Sequence, residues 1–234
     1  MYSISRSGYI LPVVIANLAD NFYYYCMNRT LLVLLVIGLI GFYLHEPQKK
    51  VYTGIQQIQE LGLTYDSKLS IDQPPIQKNI KKTVAISAGD FTITPLAEFQ
   101  VAARVLSAKH YTFDQEAKLS PVDLALGWGP MAKDDVLKDI SISQNGRFYH
   151  WRLQEFPIPR KDIETNSANM HFIPATPDIE KKLKEIDEGD RIKFKGYLVR
   201  VDRADGWRWV SSTTRNDTGG GACEVILVDD ITLL

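Results

Sequence analysis

The chain has 234 residues, with 27 Lys and Arg against 28 Asp and Glu, and its formal net charge is -1. This balance gives no support for a protein that binds nucleic-acid phosphates, so we expect no nucleic-acid partner. Hydrophobic residues make up 45% of the chain and charged residues 24%, a composition that excludes a disordered, collagen-like or multi-span membrane protein.

The first 44 residues are poor in charge, with Arg6, Asp20 and Arg29 as their charged side chains. Residues 31–44 read LLVLLVIGLIGFYL and contain neither a charged side chain nor an amide. As a helix this run reaches only about 21 Å, against a hydrocarbon core of roughly 30 Å, so a membrane span has to include the flanking residues. We predict a single transmembrane anchor over residues 31–45. It follows an N-terminal arm, residues 1–30, for which an interfacial helix is one interpretation.

Two other interpretations of the apolar run are disfavoured. A cleavable signal peptide has a shorter preceding region and small residues at the cleavage site, which residues 41–47 lack. A buried core helix normally carries a polar stripe, and this run has none. A helix that is apolar all round needs lipid or a large surrounding protein, and a single domain of this size rarely encloses one.

The charges beside the span leave its orientation open, because Arg6 and Arg29 precede it while Lys49 and Lys50 follow it. A short N-terminal arm before a long C-terminal domain is the usual plan of a signal anchor. We therefore expect a single-pass protein of the bacterial inner membrane, with membrane lipid as a partner and the C-terminal domain outside the cytoplasm.

Residues 46–82 are predicted to form a helical stalk and a linker. Ile55, Ile58 and Leu61 recur at helical spacing, whereas Pro74-Pro75 excludes a helix further along. The globular domain is expected to occupy residues 83–234.

The apolar pattern of the globular domain is mostly that of β-strands. Strands are predicted over residues 83–87 and 91–94, with Gly89-Asp90 as the turn between them. Residues 98–110 alternate like a strand, although their alanine content leaves a helix open. Residues 111–145 are irregular, with a short helical piece opening at residues 119–121.

The C-terminal third contains the clearest patterns. Asn145-Gly146 marks a turn into a strand over residues 147–153. A helix is predicted over residues 177–188, where Thr176 is the expected cap and Gly189 the stop. The strands expected after it are residues 191–202, with a bulge at Gly196, then 207–211 and 224–233.

This order of elements resembles the second half of an OB-fold barrel. The resemblance is carried by Glu188-Gly189-Asp190, which leads into a long strand interrupted by Gly196. Residues 169–173 then correspond to the third strand, residues 177–188 to the helix and residues 191–202 to the fourth strand. The resemblance covers about a third of the chain and implies a mainly β (α+β) fold, an OB-like partly open barrel behind a single N-terminal transmembrane helix. Such barrels bind oligonucleotides, oligosaccharides or proteins, and the fold does not choose among them.

The polar segment NSANMH, residues 166–171, places His171 two residues after Asn169. One interpretation makes His171 a base or a ligand held by an amide. The alternative is that the Asn and Ser side chains close a turn by bonding backbone groups. We favour the alternative, because no carboxylate lies at catalytic spacing in the sequence.

A polar loop with three consecutive glycines precedes the last strand. It offers Arg215 as an anion ligand, Cys223 as a nucleophile, and Asp217-Thr218-Gly219 as a match to the aspartic-protease tripeptide. The residues before Asp217 are polar, where that family has an apolar strand. A plain hairpin loop, with Cys223 as a small buried residue, is the favoured interpretation.

The remaining candidates for ligand binding are aromatic. Trp128 lies between two glycines and either contacts a ligand or seals the barrel, and Trp151 and Trp207 share this ambiguity. The candidate binding residues are Trp128, Trp151, Asn169, Arg215 and Trp207. The four histidines are widely spaced and form no metal-ligand pair, so neither a metal nor a cofactor is expected.

Two hypotheses for the function follow. The preferred one is a membrane-anchored, non-enzymatic binding or assembly module of a bacterial envelope complex, with protein partners and a polymer or oligosaccharide as a further candidate ligand. The alternative is a membrane-tethered hydrolase that uses Cys223 or Asp217 with His171. A Cys223 sulfur near a His171 nitrogen, in an open cleft, would favour the enzyme.

Overall fold

A computed structural model describes residues 31–37, 39, 63–113, 115–214 and 222–234. Two compact units divide the chain, Met1–Lys49 and Lys50–Leu234. In the first unit, residues 31–37 and 39 are helical, and their aliphatic side chains are exposed. The rest of the predicted span, the N-terminal arm and the predicted stalk lie outside the described residues.

No helix within the described ranges combines the length and the apolar character needed to cross a membrane.

The second unit is mainly β. Its strands are β1 (Ile76–Asn79), β2 (Ile86–Ala88), β3 (Phe91–His110), β4 (Val122–Gly127), β5 (Ser141–Asn145), β6 (Phe148–Arg152), β7 (Ser167–Pro174), β8 (Arg191–Arg203), β9 (Arg208–Val210) and β10 (Glu224–Leu233). Its α-helices are α1 (Asp134–Leu137), α2 (Arg160–Thr165) and α3 (Pro177–Lys184). Short 3-10 helices occupy Glu116–Lys118 and Gly129–Ala132.

Five strands of the large sheet pair in a ring. Strand β3 pairs with β4, β4 with β7, β7 with β10, β10 with β8, and β8 again with β3. The β7–β10 pair is parallel and the other four pairs are antiparallel. Strands β1, β2 and β9 extend the sheet beyond the ring, so the sheet is only partly closed. Strand β1 lies inside the stretch predicted to be a linker.

The interior of the ring is apolar. Phe99, Phe172 and Phe194 meet there, with ring centroids 5.0 Å apart for Phe172 and Phe194 and 6.0 Å apart for Phe99 and Phe194. Ile179 and Leu183 of α3 join the same cluster. Helix α3 starts where predicted, because the Thr176 hydroxyl accepts a hydrogen bond of 3.2 Å from the Ile179 amide.

Strand β8 shows why the sequence suggested a bulge at Gly196. Residues 192, 194, 196 and 198 face the ring interior, whereas Tyr197, Val199 and Val201 join a second buried cluster outside the ring. The apolar residues therefore change face while the strand continues without interruption. The bulges lie instead in the partner strands, at Leu96 and Asp229. A Cβ atom at Gly196 would lie 2.1 Å from the Leu227 carbonyl oxygen, so glycine allows the close approach of β10.

One further prediction is confirmed and another is wrong. The long segment 98–110 is part of the strand β3, and the helical alternative for it is wrong. The predicted helical start at residues 119–121 is also wrong, because these residues lead into β4, which is buried along its whole length. A short apolar run buried on both faces has no alternation by which a strand could be recognised.

Candidate functional site

A buried carboxylate faces a buried histidine on the outer side of the ring. Asp123 of β4 lies directly opposite His171 of β7 in the antiparallel register. The His171 Nδ1 atom is 2.9 Å from the Asp123 Oδ2 atom. Asp123 is fully buried and His171 is 3% exposed. The two atoms lie within ion-pair distance, although their geometry is not that of a hydrogen bond.

Arg147 closes the cluster from the turn between β5 and β6. Its Nη1 atom lies 3.1 Å from Asp123 Oδ1, and its Nη2 atom donates a hydrogen bond to the Ser120 carbonyl oxygen. The guanidinium also stacks on Tyr111, 4.0 Å from the ring centroid. Asp123 therefore has a cationic partner on one oxygen and an imidazole on the other.

The backbone of Arg147 is strained. Gly146 and Arg147 are the two central residues of the turn, with φ values of 56° and 65°. Both positions of this tight hairpin turn require a positive φ, which suits glycine and is unfavourable for arginine. The Asn145-Gly146 turn signal was correct, but its centre lies one residue later than the dipeptide suggests. In this backbone conformation the guanidinium of Arg147 lies against the carboxylate of Asp123.

Two amides connect the turn to β7. The Asn169 Nδ2 atom donates to the Arg147 carbonyl oxygen over 3.0 Å, and the Gln144 Nε2 atom donates to Asn169 Oδ1 over 2.6 Å. These bonds fix the hairpin β5–β6 against the outer face of the ring. We call the group formed by Asp123, Arg147, His171, Asn169 and Gln144 the Asp123 cluster.

A cleft of about 400 Å³ opens beside the Asp123 cluster. Its walls are mainly aromatic and cationic, and its lining comprises Glu116, Arg147, Phe148, His171, Trp207, Arg208, Trp209, Val210 and Cys223. We call it the Trp209 cleft. The Trp209 ring lies 4.6 Å from the His171 ring between centroids, and Trp207 packs edge-on against Trp209.

Cys223 borders this cleft directly before β10 begins. In the parallel register Glu224 lies opposite Met170 and Val225 opposite His171, so Cys223 falls beside Asn169. The Asn169 Nδ2 atom is 3.9 Å from the Cys223 sulfur, which is hydrogen-bond distance for a thiol acceptor. Cys223 is partly exposed and belongs to the lining of the cleft.

The pKa of Tyr111 is affected by the charges of the Asp123 cluster. Burial is the main cause that raises the pKa of its phenol, and the Asp123 carboxylate raises it further, to about 12. Arg147 has the opposite effect on this pKa and only partly offsets it. The phenolate of Tyr111 is disfavoured because it would place a second negative charge beside Asp123.

The residues predicted from the sequence fall into three groups. His171, Cys223 and Trp207 line the Trp209 cleft, and Asn169 lies beside it. Trp128 is 1% exposed within the ring interior, and Trp151 packs against Phe156 and Arg160 away from the cleft. Arg215 and Asp217 lie outside the described residues.

Asp123 and Arg147 were missed by sequence reasoning. Asp123 is distant from His171 along the chain, so the objection that no carboxylate stands near this histidine does not hold in three dimensions. One signal was available, because Asp123 is a single charge within the apolar run VDLALG, and a buried charge needs a partner. Arg147 gave no signal beyond its position after Asn145-Gly146.

No family model, no curated protein and no solved structure matches this chain. Within the described ranges, no three His, Cys, Asp or Glu side chains converge to hold a metal ion.

Proposed function

We propose that this chain is a membrane-anchored binding module of a bacterial envelope complex. Its second unit, which we call the head, binds a segment of a partner protein in the Trp209 cleft. The observation that carries the proposal is the composition of this cleft. Trp207 and Trp209 provide aromatic surface, and Arg208 provides a cation whose side chain is 62% exposed. Tryptophan and arginine are the side chains that contribute most to protein interfaces.

The order of elements supports an OB-like barrel as the scaffold. The ring contains five strands, and α3 lies between the third and the fourth of them in chain order. This is the position of the helix in OB folds, which serve as binding and assembly modules. The exposed aliphatic side chains of residues 31–37 and 39 support lipid as the surroundings of the N-terminal segment.

Co-purification tests the binding of a partner. The full chain is purified in mild detergent from its native host, and the co-eluting proteins are compared between the wild type and Trp209→Ala. We expect a stoichiometric partner that is lost in Trp209→Ala and retained in Val84→Ala, because Val84 is equally apolar, 73% exposed and absent from the cleft. Equal recovery of the partner with both variants would contradict the proposal.

Labelling of Lys68 tests the anchor and its orientation. Lys68 is exposed and precedes β1. We expect a membrane-impermeant amine reagent to modify it in cells whose outer membrane has been permeabilised, and the chain to sediment with membranes after a carbonate wash. Recovery of the chain in the wash supernatant would contradict the anchor, and labelling that requires lysis of the inner membrane would contradict the orientation.

A further inference from the structure

Three side chains that are far apart in the sequence come together at the Trp209 cleft. Asp123, His171 and Cys223 belong to β4, β7 and the residue before β10, which are neighbours in the ring. Asn169 and His171 are two residues apart on one strand, so they project on the same side of the sheet. Cys223 contacts Asn169 on that side. A thiol, an imidazole and a carboxylate thus follow one another across adjacent strands.

The carboxylate is positioned to orient the imidazole. Arg147 holds one oxygen of Asp123, and the other oxygen lies 2.9 Å from His171 Nδ1. Because this contact involves Nδ1, Nε2 is the imidazole nitrogen that we assign to proton transfer. Because Asp123 and His171 are almost completely buried, this orientation does not depend on flexible surface side chains.

The cluster is costly for the fold. Burying an ionised carboxylate and a guanidinium requires the removal of their hydration, and pairing them often does no more than offset that cost. The positive φ of Arg147 adds backbone strain. Apolar residues would stabilise this face of the sheet without loss of charge hydration and without backbone strain. The arrangement of charged groups is therefore better explained by a role in a reaction than by a role in packing.

We infer that Cys223 is a nucleophile that accepts an acyl group, with His171 as its general base and Asp123 as the positioning residue. This inference rests on the proposed function only in that the Trp209 cleft must admit a ligand. It adds a covalent reaction to the binding role, so the chain would be an enzyme and not the non-enzymatic module expected from the sequence.

The reaction balances with water as the second substrate. The Cys223 sulfur attacks the carbonyl carbon of an ester or thioester, and the thiol proton passes to His171 Nε2. The bond from the carbonyl carbon to the leaving oxygen or sulfur breaks, and His171 returns the proton to that leaving group. Water, deprotonated by His171, then attacks the thioester carbonyl carbon. The bond from that carbon to the Cys223 sulfur breaks, His171 returns the proton to the sulfur, and a carboxylic acid is released.

The lining of the cleft indicates the class of acyl group. Phe148, Trp207, Trp209 and Val210 form an apolar wall, and the volume of about 400 Å³ suits a small ligand. We therefore assign the site to esters or thioesters with a short apolar or aromatic acyl chain. A large polymer substrate would have to present such a group at its end or on a side branch.

The first experiment measures the reactivity of Cys223. The full chain in detergent carries Cys26→Ser, which leaves Cys223 as its single cysteine. We expect iodoacetamide to alkylate Cys223 at pH 7 about tenfold faster than a small-molecule thiol, because a neighbouring imidazole that takes up the thiol proton favours the thiolate. His171→Asn should remove this advantage, whereas His150→Asn should not, because His150 is exposed on β6 and absent from the cleft. A rate equal to that of the small-molecule thiol would overturn the inference.

The second experiment detects the acyl-enzyme. With p-nitrophenyl butyrate we expect a burst of one p-nitrophenol per chain and a mass increase on the peptide that contains Cys223. Cys223→Ala should abolish both, and Cys223→Ser should fold equally well and lose the burst. Hydrolysis that persists in Cys223→Ala would overturn the assignment of the nucleophile.

The role of Asp123 is tested by the pH profile. The charged or titratable groups around Cys223 and His171 include Asp123, Glu116, Arg147, Arg208 and Tyr111, together with Asp202, which pairs with Arg208, and Glu224, which follows Cys223 in the chain. Asp123→Asn should shift the alkylation profile to higher pH, because the imidazolium loses its carboxylate partner, and Asp123→Glu should restore part of the profile. A merely structural Asp123 would change the melting temperature and leave the profile in place.

Partner binding separates this inference from the proposed function. If Cys223→Ala retains the partner and the wild type shows no burst, the catalytic inference fails and the binding module stands. If the wild type shows the burst while Trp209→Ala retains the partner, the binding proposal fails and the catalytic inference stands.

Discussion

The inner and outer faces of strands β4 and β7 bury opposite kinds of side chain. On the inner face, Leu124 and Phe172 join the apolar interior of the ring. On the outer face, the same two strands bury Asp123, Asn169 and His171. Burial of apolar surface stabilises the folded state, whereas burial of charged groups costs their hydration. The inner face therefore stabilises the ring of strands, whereas burial on the outer face does not have stability as its main result.

Removing an aromatic ring from the inner face should have the largest effect. Phe194 lies between Phe99 and Phe172, so Phe194→Ala should lower the free energy of unfolding by about 3–5 kcal/mol. Urea denaturation followed by tryptophan fluorescence measures this loss. Phe113→Ala is the matched control, because Phe113 is 100% exposed and its removal should change stability by less than about 0.5 kcal/mol. Equal losses for both variants would show that the aromatic interior of the ring does not stabilise the fold.

Neutralising the outer carboxylate should cost less. Asp123→Asn leaves Arg147 without its buried anionic partner and should lower the free energy of unfolding by about 1–3 kcal/mol. In a double-mutant cycle, Asp123→Asn with Arg147→Met should lose less than the sum of the two single losses, because the second change removes the buried cation. Strict additivity in urea denaturation would show that the two side chains are not coupled.

Relief of the backbone strain at the turn should change the free energy of unfolding by a smaller amount, and it should raise it. Arg147→Ala and Arg147→Gly both remove the contact with Asp123, but only glycine adopts a φ of 65° without strain. We expect Arg147→Gly to be more stable than Arg147→Ala by about 1 kcal/mol. Thermal unfolding of the two variants at equal concentration measures this difference. A glycine variant that is no more stable than the alanine variant would mean that this turn is relaxed.

Tyr111 provides the smallest test, of the charge on the outer face. Its pKa is raised to about 12 in the folded chain and lies near 10 in an unfolded one. Its contribution to stability is therefore complete below about pH 10 and is lost as the pH rises from about 10 to 12. Spectrophotometric titration, with Tyr111→Phe to identify the Tyr111 component, should show a lower pKa in Asp123→Asn. An unchanged value would mean that Asp123 does not contribute to the raised pKa of Tyr111.

The strands of the second unit illustrate what a sequence can predict. The last strand has the predicted bounds, Glu224–Leu233, and the predicted Gly89-Asp90 turn lies between the paired strands β2 and β3. These elements are bounded by local turn signals and are recognised by them. Strand β4 was missed because both of its faces are buried, and β5 because its small polar residues lack an apolar pattern.

The candidate site was predicted only in part, for a different reason. His171, Cys223 and Trp207 were identified because their residue types carry chemistry by themselves. Asp123 and Arg147 become significant only through the neighbours that the ring gives them.

By itself, the sequence determined the β-rich character of the head, most of its turns and the side chains that could react. The tertiary structure decided the closure of the ring, the change of buried face along β8 and the meeting of Asp123 with His171. This division follows from the distance along the chain over which each interaction acts. Turn preferences and alternation act over a few residues, whereas the pairing of β4 with β7 joins residues 48 positions apart in the chain, as in Asp123 and His171. Only the packed ring of strands specifies that such residues become neighbours.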